Sequence, residues 1–494
     1  MKYTNPIIKG FYPDPSMCKA NGKYYLVCSS MQYFPAVPLF ESKDLINWKQ
    51  IGNCLNRPSQ IALEGVNSSG GVFASTIRYN DGRFYMVTTN STTQQNFYVY
   101  TDNIYGEWSE PIYVQQGGID PSLYFEDGKT YFLSNGQDDN GIDGITQCEI
   151  DITTGEKLSP SVNIWQGTGG RYIEGPHMYK IGEYYYLMVA EGGTEYGHMV
   201  TYARSKNIYG KFESFSGNPV LTNRNLGGFE IQGVGHGDLI QDEYNQWWLV
   251  HLGFRQMDQW MPYHHLGRET FLTPIQFNQD GWFTAGYNGT TIHEFEVEYP
   301  KEIVQKEQKV FTFENTNLKV DWLRIRIPDM KNYSFKHGTL TLKGTEKTLD
   351  DVASPTFIGI RQKDFKSVIT CDISVESGEG GITLFMDEQQ HYDLLVTKAD
   401  SGYIITEKLN IGDIKHIQNS ISVGDNGSIT LEVRSNNFVY EFNVIVNGIK
   451  HTLGCAQTKY LSTEVASGFT GVIIGLFAHN GVSNFKNFKV EYID

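Results

Sequence analysis

Three acidic side chains stand at one offset from three similar phrases. Asp14 lies eight residues before Gly22, Asp120 eight before Gly128 and Glu174 eight before Gly182. Each glycine opens a short aromatic and apolar run: Gly22-Lys23-Tyr24-Tyr25-Leu26-Val27, Gly128-Lys129-Thr130-Tyr131-Phe132-Leu133 and Gly182-Glu183-Tyr184-Tyr185-Tyr186-Leu187. Two further phrases belong to the series, Gly82-Arg83-Phe84-Tyr85-Met86-Val87 and Asn245-Gln246-Trp247-Trp248-Leu249-Val250. There the same offset falls on Ala74 and on Gly237, with His236 beside it. If the copies stand around an axis, equal offset means equal height. Three carboxyl groups would then converge at one end of a central channel.

Three carboxyls at one point can break a glycosidic bond. One donates a proton to the leaving oxygen, and an ionised one activates water or attacks the sugar. A third raises the acid's pKa by like-charge repulsion. Taken singly, Asp14-Pro15 and Asp120-Pro121 read as turn or strand-start signals, and Glu174-Gly175-Pro176 as a loop. The threefold recurrence carries the functional reading. A single histidine is commonly a hydrogen-bonded structural residue, but the register of His236 makes it a candidate for lining the channel. Arg268, in Leu266-Gly267-Arg268-Glu269-Thr270, reads by default as a surface ion pair. At the channel it would hold a sugar hydroxyl or orient a carboxylate. Phe34 and Phe73 are core aromatics by default and sugar-stacking platforms at a channel mouth. His264-His265, near Asp258, lack metal-ligand spacing and read as a solvated loop.

The elements that would position these residues are short strands. Asn21-Gly22, Asp81-Gly82 and Asp127-Gly128 are tight hairpin signals, since both turn residues tolerate positive φ. Segments 42–48, 101–108 and 205–212 resemble one another and read as outer hairpins closing a unit. The phrases recur every 46 to 63 residues, which suits four antiparallel strands per copy and a five-bladed β-propeller over residues 1–295. The charged, proline-containing stretch from Glu294 to Glu302 lacks the repeat, and a linker is expected over 296–308. Beyond it, segments such as Val310-Phe311-Thr312-Phe313, Gly338-Thr339-Leu340-Thr341-Leu342 and Ile429-Thr430-Leu431-Glu432-Val433 suit an antiparallel β-sandwich over 309–494. The fold class is all-β.

Two domains are the natural reading of 494 residues. A formal net charge of −16 disfavours nucleic acid and anionic membrane as partners and suits a neutral substrate. Six scattered cysteines in 494 residues form neither a disulfide framework nor a metal motif. The opening residues show no secretory h-region and no run spans a bilayer, so a soluble, cytoplasmic protein is expected.

Tyr12-Pro13-Asp14-Pro15-Ser16, Gly118-Ile119-Asp120-Pro121-Ser122-Leu123 and Ile173-Glu174-Gly175-Pro176-His177 resemble the three signature segments of glycoside hydrolase family 43. The opening Asn5–Ser16, Ala190-Glu191-Gly192-Gly193-Thr194, Gly235-His236-Gly237 and Leu266–Thr270 resemble the two-domain β-xylosidases of that family. Segments 321–326, 349–359 and 382–387 resemble their concanavalin-like C-terminal domain. The resemblance implies inversion, with Asp14 as general base, Glu174 as general acid and Asp120 tuning and orienting the acid. It also implies that His236 and Arg268 line the sugar pocket and that the sandwich helps close it. The expected activity is an exo-acting β-D-xylosidase trimming xylo-oligosaccharides from the non-reducing end, with α-L-arabinofuranosidase activity alongside or in its place. Met31 and Phe73-Ala74-Ser75 stand where such enzymes often carry an aromatic residue and Trp-Ala-Pro, which leaves the sugar preference open. A non-catalytic carbohydrate-binding protein and a retaining hydrolase are the rival readings; retention needs carboxyls about 5–5.5 Å apart against about 6.5–9.5 Å for inversion. No cofactor is required. A channel calcium near His236 and a homo-oligomer are compatible with the resemblance.

Overall fold

Asn21 and Gly22 take φ of 50° and 73°, Asp81 and Gly82 47° and 84°, and Asp127 and Gly128 51° and 74°. This doubly left-handed turn matches the twist of the strands it joins, so each pair closes a two-residue hairpin. The structure, a computed structural model, describes residues 2–298, 305, 310–312, 321–425 and 427–493.

Five four-stranded antiparallel sheets follow one another along the chain. Their innermost strands are Ser16–Ala20, Thr76–Asn80, Ile119–Glu126, Glu174–Ile181 and Ile231–Gln241. Those of the first, second, fourth and fifth blades meet around Asp238, as described below. The segments expected as outer hairpins do join third to fourth strands. Asp44, Asn103 and Asn207 shape them by accepting from backbone N–H groups two residues on, at 3.0, 3.1 and 2.9 Å, the local bond that makes such residues turn formers. Apolar side chains of neighbouring blades share cores, as where Val27 and Leu39 meet Ile77, Phe84 and Met86.

The ring closes at the N-terminus. Lys2–Thr4 pairs with Glu294–Glu296, so the charged stretch begins as a strand rather than as linker. Asn5 and Leu272 exchange two hydrogen bonds, at 2.9 and 3.0 Å. Most of the expected linker, residues 299–304 and 306–308, lies outside the described residues.

In the second domain two long strands, Ser367–Phe385 and Ile473–Tyr492, pair along their length. The register shifts around Val375, Ser377 and Glu379, where Gly378 and Asn480 take φ of 65° and 50°. Before this bend the first strand pairs with Ile429–Ser435, and after it with Gln390–Ala399. The sheet therefore folds over on itself, with Leu384, Leu394, Leu431, Val433 and Phe442 in the core between its layers. Bulges of this kind bend a strand and re-aim it. Among the described residues the only α-helix is Thr463–Ala466.

The domains meet through a paired strand, Arg324–Ile325 with Tyr33–Phe34, and an apolar layer. In that layer Phe11, Met31 and Tyr33 pack with Phe357, Phe385 and Phe477. Arg326, wholly buried, donates to Val66 O of the propeller and to Ala353 O and Glu388 of the sandwich side.

Candidate active site

Several innermost strands begin with a break in register. Asp120, Gly175 and His236 sit there at φ of 53°, 58° and 46°, and Asp14, two residues before its strand, takes 54°. Such a break re-aims side chains at the rim of a sheet. It also corrects the register read from sequence. The hairpin of the fourth blade pairs Ile181 with Tyr184, so Gly182 is its first turn residue, whereas Gly22 and Gly128 are second turn residues. Gly175, not Glu174, is therefore the counterpart of Asp14 and Asp120, and Glu174 stands one residue upstream. A Cβ at Gly175 would lie 2.8 Å from the His236 ring, so glycine is required there. Its backbone amide lies beside Asp120 and favours that carboxyl's charged form.

The three acids converge despite this shift. Asp14 and Asp120 are buried, and each of the three carboxyl groups lies within the field of another. Asp14 accepts from Arg268 Nη1 at 2.9 Å and from Ser29 Oγ at 2.5 Å. Burial alone would push its pKa up, but Arg268, His236 and the Ser29 bond outweigh it and hold Asp14 below its ordinary value. Glu174 makes no hydrogen bond from its carboxyl to the described residues. Burial first, and the Asp14 charge second, push it up to about 7 against the pull of Arg268. Burial and the charges of Glu174 and Asp14 also raise Asp120 well above its usual range. One site thus holds an ionised carboxylate beside a pair that retains a proton near neutrality.

Arg268 reaches further. Its Nη1 donates to Thr194 Oγ1 at 2.8 Å and its Nη2 to Phe469 O at 3.5 Å. Its guanidinium lies 5.5 Å from the Phe469 ring centre. Phe469 belongs to the second domain, so the sandwich does reach the channel mouth. Phe73 meets it edge to face at 6.3 Å. His236 Nδ1 stands 3.8 Å from Asp120 Oδ2, and burial lowers its pKa.

A second tier braces the channel. Asp238 accepts from Ser16 Oγ at 2.6 Å, Met17 N at 3.0 Å, Arg78 Nη1 at 2.8 Å and Tyr179 OH at 2.5 Å. These partners come from the first, second and fourth blades, and Asp238 from the fifth. A buried charge so fully bonded is tolerated because its lone pairs are satisfied.

Phe34 is buried and packs with Val37, Leu39, Leu63 and Val72. One sequence reading is corrected. His264 and His265 are not a solvated loop but are buried. His264 bonds Glu464 at 2.8 Å and His265 packs by Phe365 and Tyr440, so both belong to the domain interface. Ser29, Thr194, Phe469 and the Asp238 tier were not singled out from sequence. Asp238 could have been found two residues beyond His236 on the same strand. Nothing local marks Phe469, which lies 201 residues from Arg268. Among the described residues no three His, Cys, Asp or Glu side chains are arranged to hold a metal.

A five-bladed propeller with three interacting carboxyls and one arginine at its mouth, backed by a sandwich, defines a class of sugar-cleaving enzyme. The comparisons agree. The profile for glycosyl hydrolases family 43 matches residues 3–283, and that for the beta xylosidase C-terminal concanavalin A-like domain matches 310–492. The chain belongs to glycosyl hydrolase family 43 and is a glycosidase. It is 38% identical to a non-reducing end alpha-L-arabinofuranosidase of Bacteroides ovatus, over 100% of this chain and 94% of that one. A xylosidase/arabinosidase of Butyrivibrio fibrisolvens is 36% identical over 98% and 97% of the two chains. A solved Bacteroides ovatus structure, described as xyloglucan PUL GH43B, superposes with a TM-score of 0.94 at 37% identity and covers 100% of both chains.

Proposed function

We propose that the protein is an exo-acting, inverting glycosidase that releases xylose from the non-reducing end of short xylo-oligosaccharides and also removes α-L-arabinofuranose. The observation that carries the roles is the unequal treatment of two neighbouring carboxyls. Asp14 is locked to Arg268 at 2.9 Å, while Glu174 has no such partner and is pushed up to about 7. Asp14 is the base that draws a proton from water. Glu174 is the acid that protonates the leaving oxygen. Asp120, beside the Gly175 amide next to Glu174 and raised by the charge of Glu174, orients that acid and shares the site's proton with it.

The leaving group must lie on the side of Glu174. An open groove of about 290 Å³ lined by Asn135, Asp143, Gln166, Tyr172 and Ile173 begins there. On the other side Arg268, Thr194 and Phe469 bound the space for the terminal sugar, which supports exo action. The expected sugar contacts of His236 and Arg268 fit this placement, as does Phe73 at the rim.

A second reading makes α-L-arabinofuranose the main substrate. It is favoured by the full-length similarity to the arabinofuranosidase of Bacteroides ovatus. Proton NMR of the anomeric region during xylobiose hydrolysis tests the first reading. Early α-xylose, later mutarotating, is expected. Early β-xylose overturns inversion, and no cleavage of xylobiose alongside rapid cleavage of arabinofuranosides selects the second reading. We further propose a cytoplasmic location, supported by six cysteines that are all free; cell fractionation with an antibody tests it.

A further inference from the structure

The outer face of one sandwich layer is only partly used. Phe385, Leu395 and Phe477 on that face pack toward Met31 and Tyr33 of the propeller. Beside this contact the same face forms a cavity of about 250 Å³. All its lining residues fall between 347 and 479, so it shares none with the carboxylate channel.

The cavity combines buried polar groups, His391, Asp393 and Thr406, with half-exposed ones. His391, with no exposed side-chain surface, bonds Asp350 at 2.8 Å and Asp393 at 2.9 Å. Burial opposes its charge, but the two carboxylates push its pKa up to about 9. Lys408 stands 3.7 Å from Asp350 and 3.9 Å from Asp393, beyond hydrogen-bond reach, and so keeps its donors for another partner. Thr397 and Thr406 add hydroxyls, and Leu395 and Phe477 supply an apolar surface.

This chemistry selects its ligand. Lys347, Lys408 and charged His391 line the cavity with Asp350, Asp393 and Glu379, and Lys415 offsets Asp350 at 2.8 Å, so no strong charge of one sign selects an ion. Alternating carboxylates, an ammonium and hydroxyls suit the vicinal hydroxyls of a sugar, and the apolar surface suits its C–H face. The volume equals the liquid share of about eight waters, room for a sugar ring with its hydroxyls. We propose that this cavity is a second saccharide-binding site, which holds a neutral sugar unit of a longer chain without cutting it. It keeps the propeller close to a polymer or oligomer whose ends it trims.

The test uses the full-length Glu174→Gln protein, slow enough in hydrolysis for calorimetry. Xylohexaose and cellohexaose are the probes. Two sites per chain are expected for at least one of them, and one site once Lys408→Met or Thr406→Val is added. The same two substitutions in the otherwise native protein leave kcat/KM on an aryl β-xyloside within twofold. A single site for both probes, or two sites that survive both substitutions, overturns the proposal. So does inorganic phosphate binding that Lys408→Met abolishes, since that marks an anion site. The choice of xylohexaose rests on the activity proposed above. Failure of that activity would show as no aryl-xyloside hydrolysis by the native protein, a separate reading from the number of sites.

Discussion

Arg268→Met removes the cation that, among the described residues, bonds the proposed base. The Arg268–Asp14 bond is 2.9 Å, with side chains only 5% and 7% exposed. With charge centres about 4 Å apart at an effective dielectric near 20, the attraction is about 4 kcal/mol. At about 1.4 kcal/mol per pKa unit, this moves Asp14 up by as much as ~3 units. Asp14 is held below its ordinary value in the native protein, so the loss carries it from the acid range toward neutrality. Catalysis needs Asp14 ionised and Glu174 protonated, and Glu174 titrates at about 7. Arg268 also pulls Glu174 down, so the basic limb moves up too, but by less because only Asp14 bonds the arginine, and the two limbs close on each other. The expected result for kcat/KM on an aryl xyloside is an acidic limb displaced upward by about 2–3 units and a lower, narrower maximum. Circular dichroism and a melting curve confirm that the variant folds. If the acidic limb stays within half a unit of the native one while the maximum falls, Arg268 acts on substrate alone and the electrostatic argument for Asp14 as base fails.

Gly175→Ala places a methyl group 2.8 Å from the His236 ring at a φ of 58°; kcat/KM falls by about 100-fold with little change in far-ultraviolet dichroism, and full activity would show that this close approach is not needed. Phe469→Ala opens the wall formed by the second domain over Arg268; KM for xylobiose rises several-fold while the melting temperature changes little, and an unaltered KM would remove Phe469 from the pocket. Glu174 has a folded pKa raised to about 7, so its contribution to stability is complete below the ordinary carboxyl value and is lost as pH rises through about 7. Glu174→Gln lacks that loss, so its melting temperature gains on the native one between pH 5 and pH 8, and parallel pH curves would refute the raised value. Arg326→Met strands the Glu388 carboxylate at the interface and costs about 3–5 kcal/mol, read as a lower denaturation midpoint.

Short-range rules made most of the propeller legible. A residue pair such as Asp127-Gly128 announces its turn because both members must take positive φ, and the turn then sets the strand register. The error in the register of the fourth blade came where that rule was weakest. Ile181-Gly182-Glu183-Tyr184 has its glycine in the first turn position, so aligning glycines slid the fourth blade by one residue. Glu174 was found through an offset that turned out to hold for Gly175. The acids converge anyway because Asp14 and Asp120 are turned by positive φ and the register break after Glu174 interrupts the pleat of its strand. A strict pleat would have sent adjacent residues to opposite faces.

What stayed illegible depends on contacts between distant segments. Phe34 and Phe73 look alike in sequence, yet one is buried between blades and the other faces Phe469 at 6.3 Å. Only the docking of the second domain separates them, and that docking rests on groups with no local signature. Arg326 bonds across the interface from a wholly buried position, and His264 bonds Glu464 on a four-residue helix. These contacts also bring the loop bearing Phe469 onto Arg268. The same arginine that holds Asp14 ionised is thus covered by a residue of the second domain. Loosening the interface would admit water to the ion pair and weaken the field on which the acid–base division depends. The sandwich therefore bears on the chemistry through the environment of Arg268 as well as through the shape of the pocket.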